Sequence, residues 1–270
     1  MPERPLWLLA GGGLTVAGLV GVGVTWWQTV ARQELTTHAV VRDVRDLQLR
    51  NIGGSGVVIR GSDRPDVAIT RELRWVGLPD DVPELRETVS GATLLVDNPC
   101  SGRSYCTIVY TIEAPRTSTA RVSLTSGDVQ ASQLAALQVT ARSADVAAHD
   151  IGSLDVRTDS GDIEVCHVTT ALLSATSGDV SACSMSGPVE VETTTGKVDV
   201  EVAAGAAGVR VTTTSGDARV RLPAGAAYDV RAETRSGHRN VAVANDPVAA
   251  RKVVVTTRSG DIDIIAPSSS

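Results

Sequence analysis

The chain has 270 residues, of which 42% are hydrophobic but only 3% aromatic, and phenylalanine is absent. Its formal net charge is −6, and it has no run of basic residues, which argues against nucleic acid as a partner. The 25 Gly and 11 Pro residues are too few for a disordered low-complexity chain, so we expect folded β layers around a core of small aliphatic side chains.

An apolar segment near the start of the chain is long enough to cross a bilayer. The 22 residues from Leu6 to Trp27 carry no charge and would rise about 33 Å as a helix. Three of the chain's four tryptophans stand where an interfacial belt would place them: Trp7, Trp26 and Trp27. Residues 1–30 are therefore predicted to be an N-terminal transmembrane anchor, and residues 31–45 a juxtamembrane linker. A secretory signal cleaved after Ala31 is the alternative.

In residues 46–118 apolar and polar residues alternate, which predicts strands, but the alternation is less regular than in residues 119–265. We interpret them as irregular N-terminal coils that cap a longer β structure, because an open stack of strands is an aggregation edge. The segment from Gly77 to Glu87, which contains Pro79 and Pro83, is predicted to be an inserted loop.

A turn signature repeats eight times within residues 119–265. The small residues at its centre are separated by 17, 17, 17, 18, 20, 21 and 23 residues, and a fixed period of this kind indicates a structural array. Gly supplies the left-handed turn conformation, and Ser and Asp side chains bond nearby backbone N–H groups. The predicted turn residues are Gly127, Asp128, Ala144, Asp145, Gly161, Asp162, Gly178, Asp179, Gly196, Gly216, Asp217, Gly237, Gly260 and Asp261.

Between the turns, apolar and polar residues alternate with a period of two, which predicts two short strands per coil. Small aliphatic residues recur two and four positions after each turn centre, and five and seven positions before it, with one lapse at Arg239. The prediction is an all-β, single-stranded β-solenoid (β-helix) with coils of about 17 to 23 residues, preceded by one transmembrane helix. Residues 266–270 are predicted to be a disordered tail.

All four cysteines follow the apolar segment: Cys100, Cys106, Cys166 and Cys183. An even count without a C-x-x-C pair favours disulfides over zinc or a redox site, with isolated thiols as the alternative. Cys100 and Cys106 could form a local clip. Cys166 and Cys183 each lie five residues after a turn glycine, so stacking would bring them about 4.8 Å apart, within reach of a disulfide. Disulfides favour an extracytoplasmic position for the bulk of the chain. Together with the predicted anchor, this predicts a single-pass protein of the cell membrane.

Repeated T-x-S-G-D-[IV] turns behind one transmembrane segment resemble those of a bacterial β-strand-repeat family of unknown function whose members are known as putative adhesins. The resemblance covers roughly residues 40–265. It implies an adhesin-like binding function and no catalytic residues. The turns TTGK at 194–197 and RSGH at 235–238 depart from the motif, which argues against any ligand that needs an unbroken column of Asp.

The sequence contains only weak candidates for a metal-binding, catalytic or phosphate-binding site. The repeated Asp residues could form a Ca²⁺-binding ladder, but the G-G-x-G-x-D calcium pattern is absent and the turns explain these residues without metal. Ser55 lacks the glycine pattern of a nucleophile elbow, and Gly196-Lys197 lacks a phosphate loop. Five threonines are predicted to form a stacked hydroxyl ladder: Thr158, Thr193, Thr213, Thr234 and Thr257. The four histidines show no metal-ligand spacing: His38, His149, His167 and His238.

The sequence therefore favours a non-enzymatic binding or spacing module at the cell surface, without a cofactor or bound metal. Its expected partners are the membrane and an unidentified extracellular protein or envelope polymer. An accessory or sensor subunit of an envelope complex is the alternative, in which Gly13, Ala17 and Gly21 would contact a partner helix. An enzyme acting on polysaccharides is a third, less favoured hypothesis.

Overall fold

The computed structural model describes residues 32–266 except 79, 104 and 207. The predicted anchor and the last four residues of the predicted tail lie outside this part of the chain. Every regular element of the described part is a β-strand. Within it, no helix is long and apolar enough to span a membrane.

The first eight strands are β1 (Arg32–Val41), β2 (Asp46–Ile52), β3 (Ser55–Ser62), β4 (Val67–Val76), β5 (Glu87–Ser90), β6 (Thr93–Asp97), β7 (Cys106–Pro115) and β8 (Thr119–Ser132). Strand pairs then repeat as β9 (Ala136–Ser143), β10 (Val146–His149), β11 (Ser153–Ser160), β12 (Ile163–Cys166), β13 (Thr170–Ser177), β14 (Val180–Met185), β15 (Val189–Thr195), β16 (Val198–Val202), β17 (Gly208–Ser215) and β18 (Ala218–Arg221). The last four strands are β19 (Asp229–Ser236), β20 (Arg239–Ala242), β21 (Lys252–Ser259) and β22 (Ile262–Ile265).

Each coil contributes one strand to each of two largely parallel sheets. Sheet I contains the strands that precede the turns, in the spatial order β5-β6-β2-β8-β9-β11-β13-β15-β17-β21-β19. Sheet II contains those that follow them, in the order β1-β4-β7-β3-β8-β10-β12-β14-β16-β18-β22-β20. Strand β8 is long enough to belong to both sheets. The parallel stack is solenoid-like, as predicted, with two strands per repeat coil.

The coils do not stack entirely in chain order. Coil β21–β22 lies between β17–β18 and β19–β20, so the last coil of the chain is the second from the end of the stack. The other end has the same arrangement, because coil β2–β3 lies between β6–β7 and β8. Consecutive coils of the chain are therefore not always neighbours in space at either end of the stack.

The four predicted apolar columns form one continuous core between the sheets. Val139, Val156 and Leu173 in sheet I are fully buried, and so are Val165, Val200 and Ile264 in sheet II. In the terminal coil β19–β20, the two core columns of sheet II end in Arg239, which is exposed, and Val241, which is 36% exposed. The lapse at Arg239 therefore marks the open end of the stack, where no further coil follows.

A fifth core column, not predicted from the sequence, lies at or just beyond the C-terminal ends of the strands of sheet II. Its buried members are Leu134, Ile151, Val168, Met185, Val202 and Leu222. The residue before each of the first four has a positive φ, which rotates the next side chain inward and breaks the alternation of period two. The first two of these positive-φ residues are Gln133 (φ 59°) and Asp150 (φ 56°).

The N-terminal end of the stack is capped by antiparallel strands. Strand β1 pairs with β4, β4 pairs with β7, and β5 pairs with β6. The predicted linker at residues 31–45 is therefore wrong for residues 32–41, which form β1. This strand has one half-buried face, from which Leu35 and Val41 pack against the core. The predicted loop between Gly77 and Glu87 lies between β4 and β5.

An ion pair joins the two sheets inside this cap. Arg71 of β4, only 5% exposed, donates from Nε and Nη2 to the two carboxylate oxygens of Glu87 of β5. Tyr110 lies beside Arg71 in the sheet register and is fully buried. Burial raises the pKa of its phenol well above the ordinary value. Inside the cap, the Arg71–Glu87 ion pair thus takes the place of the aliphatic packing found in the regular coils.

Both predicted disulfides are present. Cys166 and Cys183 are register partners on the adjacent strands β12 and β14, with their Cα atoms 4.6 Å apart. Cys100 and Cys106 close the loop that leads into β7, with a Cα separation of 5.3 Å. The first bond crosslinks neighbouring coils, and the second fixes a loop of the cap.

Candidate binding surface

The repeated turns lie along one edge of the stack, where the chain crosses from sheet I to sheet II. The glycines there have φ between 122° and 149°, which an L side chain rarely adopts. They also pack directly on one another: a Cβ atom on Gly178 would lie 2.1 Å from the carbonyl oxygen of Gly161. The contact chain continues through Gly196 and Gly216 and then, in the spatial order of the coils, through Gly260 to Gly237. At these positions glycine is therefore required for stacking as well as for the turn, whereas the turn between β9 and β10 has the buried Ala144 in its place.

The turn aspartates form a second ladder beside the glycines. Oδ1 of Asp145 accepts the backbone N–H of Asp162 at 2.9 Å, and Oδ1 of Asp162 accepts that of Asp179 at 2.8 Å. Asp179 accepts the N–H of Lys197 at 2.7 Å in the same way. The predicted bonds to backbone N–H groups of the same turn are thus replaced by bonds to the next coil. Each carboxylate supplies an acceptor to a neighbouring turn.

This ladder is interrupted at Lys197, as the departure from the motif predicted. The lysine has no carboxylate for the following coil, and the ladder resumes when Asp217 accepts the N–H of Asp261 at 2.8 Å. Asp261 in turn accepts the N–H of His238 at 2.7 Å, and this bond lowers the pKa of the Asp261 carboxyl. Among the described residues, no cluster of three or more His, Cys, Asp or Glu side chains is placed to hold a metal ion. The observed role of these aspartates is to join coils.

The predicted threonine ladder lies inside the same edge. Thr193, Thr213 and Thr257 are 3% exposed and occupy neighbouring register positions, followed by Thr234. The Thr257 hydroxyl donates to the carbonyl of Gly216, and that of Thr234 to Gly260. Ala175 separates Thr158 from the other four. Thr158 and Thr193 also donate to carbonyls of their own turns, so four of the five hydroxyls have a structural role.

A polar depression of about 440 Å³ lies on the outer face of sheet II near the open end of the stack. We call it the distal patch; its charged and polar lining residues are Lys197, Asp217, Arg219, His238, Asn240, Asp261 and Asp263. Arg219 donates to Asp263 at 3.2 Å, and Asn240 donates to the same carboxylate at 2.8 Å. Next to it, Arg221 forms two hydrogen bonds with Asp199, at 2.7 and 3.1 Å. Cations and carboxylates held in fixed positions can recognise a polar ligand by charge and hydrogen bonding.

The patch is assembled by the exchanged coil order. Arg219 and Asp263 are 44 residues apart in the chain but are register partners on β18 and β22. The alternation of apolar and polar residues predicts that both side chains point outward. It does not predict that they are neighbours, because stacking of the coils in chain order would place Asn240 beside Arg219 instead. The candidate surface was therefore missed because the order of the coils was missed.

The histidines lie in three places: His38 is on β1, His238 lies between β19 and β20, and His149 and His167 are neighbours on adjacent coils. His38 bonds the hydroxyl of Thr70 at 2.9 Å, His167 lies 3.9 Å from Asp150, and His238 lies 3.5 Å from Asp261. His149 is exposed on β10.

Comparison with known proteins agrees with this geometry. The sequence profile of the Toastrack DUF4097 family, a family of unknown function, matches residues 100–265. A comparison with curated proteins finds no match.

Solved structures resemble the chain at low sequence identity. A putative adhesin from Parabacteroides merdae is 11% identical and has a TM-score of 0.54, with coverage of 86% of this chain and 96% of that one. A putative adhesin from Parabacteroides distasonis is 12% identical and has a TM-score of 0.48, with coverage of 86% and 97%. At such identities the first likeness concerns the fold alone. The family profile, however, spans more than half of the sequence, including every repeat coil from β9 onward: the chain belongs to the Toastrack DUF4097 family.

Proposed function

We propose that the protein is a non-enzymatic, adhesin-like binding module, anchored in the cell membrane by its N-terminal segment and presenting its β stack outside the cytoplasm. The distal patch is the observation that supports binding, because it combines a shallow concavity with cations and carboxylates fixed by mutual hydrogen bonds. Two disulfides favour an oxidising compartment. The structural likeness to a protein described as a putative adhesin is consistent with this function.

The rigidity of the stack suits this role. Successive coils are about 4.8 Å apart, each joined to the next by ladder hydrogen bonds, glycine contacts and a common aliphatic core. A side chain on the outer face therefore keeps its position relative to its neighbours, so a ligand encounters a preorganised array of charges. The ligand that fits the distal patch is a polar extracellular protein or an envelope polymer with hydrogen-bonding and charged groups.

The test is crosslinking capture in intact cells with a membrane-impermeant reagent and the tagged full-length chain. The wild-type protein should be labelled and should capture a reproducible protein or polymer. The double variant Arg219→Gln/Asn240→Ala should lose this capture, because it removes two of the donors of the distal patch. The control Arg157→Gln changes a sheet I arginine that bonds Asp155 at 2.8 Å, and it should capture normally.

Two results would contradict the proposal. Capture that survives the double variant would show that the ligand binds elsewhere. Absence of labelling, while known surface proteins are labelled, would show that the stack faces the cytoplasm.

A further inference from the structure

One corner of the capped end carries an unusual share of exposed apolar side chains. Four of the large hydrophobic residues with substantial exposure lie there: Tyr105 (82%), Leu78 (67%), Val82 (43%) and Val76 (41%). We call these four residues, together with Arg32, the entry corner, because Arg32 is the residue at which the described chain enters the stack.

The geometry places Arg32, Val76 and Tyr105 together, and Leu78 and Val82 lie in the segment that follows Val76. Arg32, the first residue of β1, is the register partner of Val76, the last residue of β4. The backbone N–H of Val76 donates to the carbonyl of Tyr105 at 3.1 Å. An open groove of about 360 Å³ lies beside them and is lined in part by Trp75 and Thr107.

Tyr105 lies in a loop that is held in a fixed conformation. Its φ of 59° lies in the left-handed region, which is unfavourable for a bulky residue. The Cys100–Cys106 disulfide closes the loop directly next to it, and Arg103 in the same loop forms two 2.9 Å hydrogen bonds with Asp81. The disulfide and these hydrogen bonds fix the loop in which the Tyr105 side chain is 82% exposed.

The charges around the corner largely neutralise one another. Arg74 pairs with Glu34 at 3.1 Å, and Arg103 pairs with Asp81. The corner thus has exposed Tyr, Leu and Val side chains surrounded by paired Arg and acidic residues. This composition is expected at the boundary between lipid headgroups and acyl chains. Attraction to such a boundary would come from apolar and aromatic burial rather than from net charge.

The length of the preceding chain brings this corner to the membrane. Five peptide steps separate Arg32 from Trp27, the last residue of the predicted anchor segment, so even a fully extended connection spans only about 17 Å. We propose that the entry corner rests in the headgroup region of the same bilayer, so that the stack is held at two points and keeps a defined orientation to the membrane. This inference rests on the membrane anchor of the proposed function.

The experiment uses the full-length chain in phosphatidylcholine–phosphatidylethanolamine vesicles, with a nitroxide on Leu78→Cys. The four native cysteines are disulfide-bonded, so the introduced thiol is labelled selectively. The matched control is Val248→Cys, an 89% exposed position that follows β20 of the open end. Collision rates with oxygen and with a water-soluble nickel chelate report lipid and water, respectively. Alkaline extraction of parallel samples reports the anchor independently.

The expected result is a several-fold higher ratio of oxygen to nickel collisions at position 78 than at position 248, unchanged in 0.5 M salt, with the chain retained after extraction. A chain that is retained while both nitroxides report water overturns the inference and leaves the anchor intact. A chain that is extracted while position 78 is still shielded by lipid supports the corner and contradicts the anchor. Extraction with both nitroxides in water contradicts both. If the nitroxide at position 78 is shielded from both oxygen and the nickel chelate, a protein partner covers the corner and the lipid assignment is overturned.

Discussion

Asp261 donates its backbone N–H to the carboxylate of Asp217, 44 residues earlier in the chain, at 2.8 Å. His238, although closer to Asp217 in the sequence, bonds instead to Asp261. This pair shows at the level of single atoms that the last coil of the chain has been inserted between two earlier ones. The glycine contacts have the same order, from Gly216 to Gly260 to Gly237.

The coil order predicts which engineered disulfides can form. Arg210 and Val254 are register partners, as are Val254 and Arg231. Mild oxidation of the Arg210→Cys/Val254→Cys variant should therefore give an intramolecular disulfide, detected by peptide mass mapping. In Arg210→Cys/Arg231→Cys the two sites are two strands apart, about 9.6 Å, which is beyond the Cα separation that a disulfide accepts. Efficient formation of this second disulfide would contradict the exchanged order.

The contacts between the stacked turn glycines predict that two glycine-to-alanine substitutions lower the free energy of unfolding by very different amounts. Gly178→Ala places a Cβ 2.1 Å from a neighbouring carbonyl oxygen at a φ of 139°, so overpacking and backbone strain together should cost about 3 kcal/mol or more. Gly225→Ala has a φ of 79° but no atom within 4 Å of its Cβ, and should cost about 1 kcal/mol. Urea denaturation of both variants measures the difference. Equal losses would show that the ladder contacts do not limit stacking.

The Asp261 carboxyl should make stability depend on pH in the acidic range. Its folded-state pKa lies below the ordinary value of 3.8 because the carboxylate accepts the His238 N–H. A lowered pKa contributes stability above the unfolded-state value, and this contribution is lost as the pH falls through the folded value. The contribution of Asp261 to the difference in unfolding free energy between the wild type and Asp261→Asn should therefore be complete well above pH 3.8 and shrink below it.

Asp159→Asn provides the control for this measurement, since the Asp159 side chain is exposed and lies two positions before the turn centre of its coil. Its stability difference from the wild type should change less over the same pH range. A difference for Asp261→Asn that grows as the pH falls would contradict the assigned direction.

The buried ion pair of the cap predicts strong coupling between its members. Glu87→Leu leaves the guanidinium of Arg71, 6% exposed, without its partner, and should cost about 3–5 kcal/mol. The double variant Arg71→Met/Glu87→Leu should recover most of this loss, because it removes the unpaired charge and fills the space with apolar groups. Glu84→Ala disrupts a pair that is more than 70% exposed and should cost less than about 1 kcal/mol. Additive losses in the double variant would contradict the coupling.

Much of the repeat architecture could be predicted from local patterns. Positions such as Val156 and Val200 recur at fixed distances from a turn glycine, and a period of two fixes which side chains point inward. The Cys166–Cys183 bond follows from the same geometry, because equal distances from two turn centres imply register partners. These predictions needed only the spacing of neighbouring repeats.

The order of the end coils depends on contacts that a local pattern does not encode. Gly237 and Gly260 carry similar turn motifs, and Val230 and Val253 fill the same core position, so either coil could follow Gly216 by pattern alone. The distinguishing signal is the apolar lapse at Arg239, which suits a coil with one neighbour rather than two. Strand β1 was missed for a related reason: as an edge strand it buries only one face in part, so its alternation is weak.

The exchanged order at the ends of the stack has a consequence for how the chain folds. Coil β19–β20 emerges from the ribosome before β21–β22, yet its ladder partner is the later coil. The stack therefore cannot grow by simple addition of each coil to the one before it. Residues 229–242 therefore have no native ladder partner until β21 and β22 have been synthesised and have docked on β17 and β18. Completion of the solenoid is thus a late, non-local step, and a chain cut short before residue 252 would lack the template for its own terminal coil.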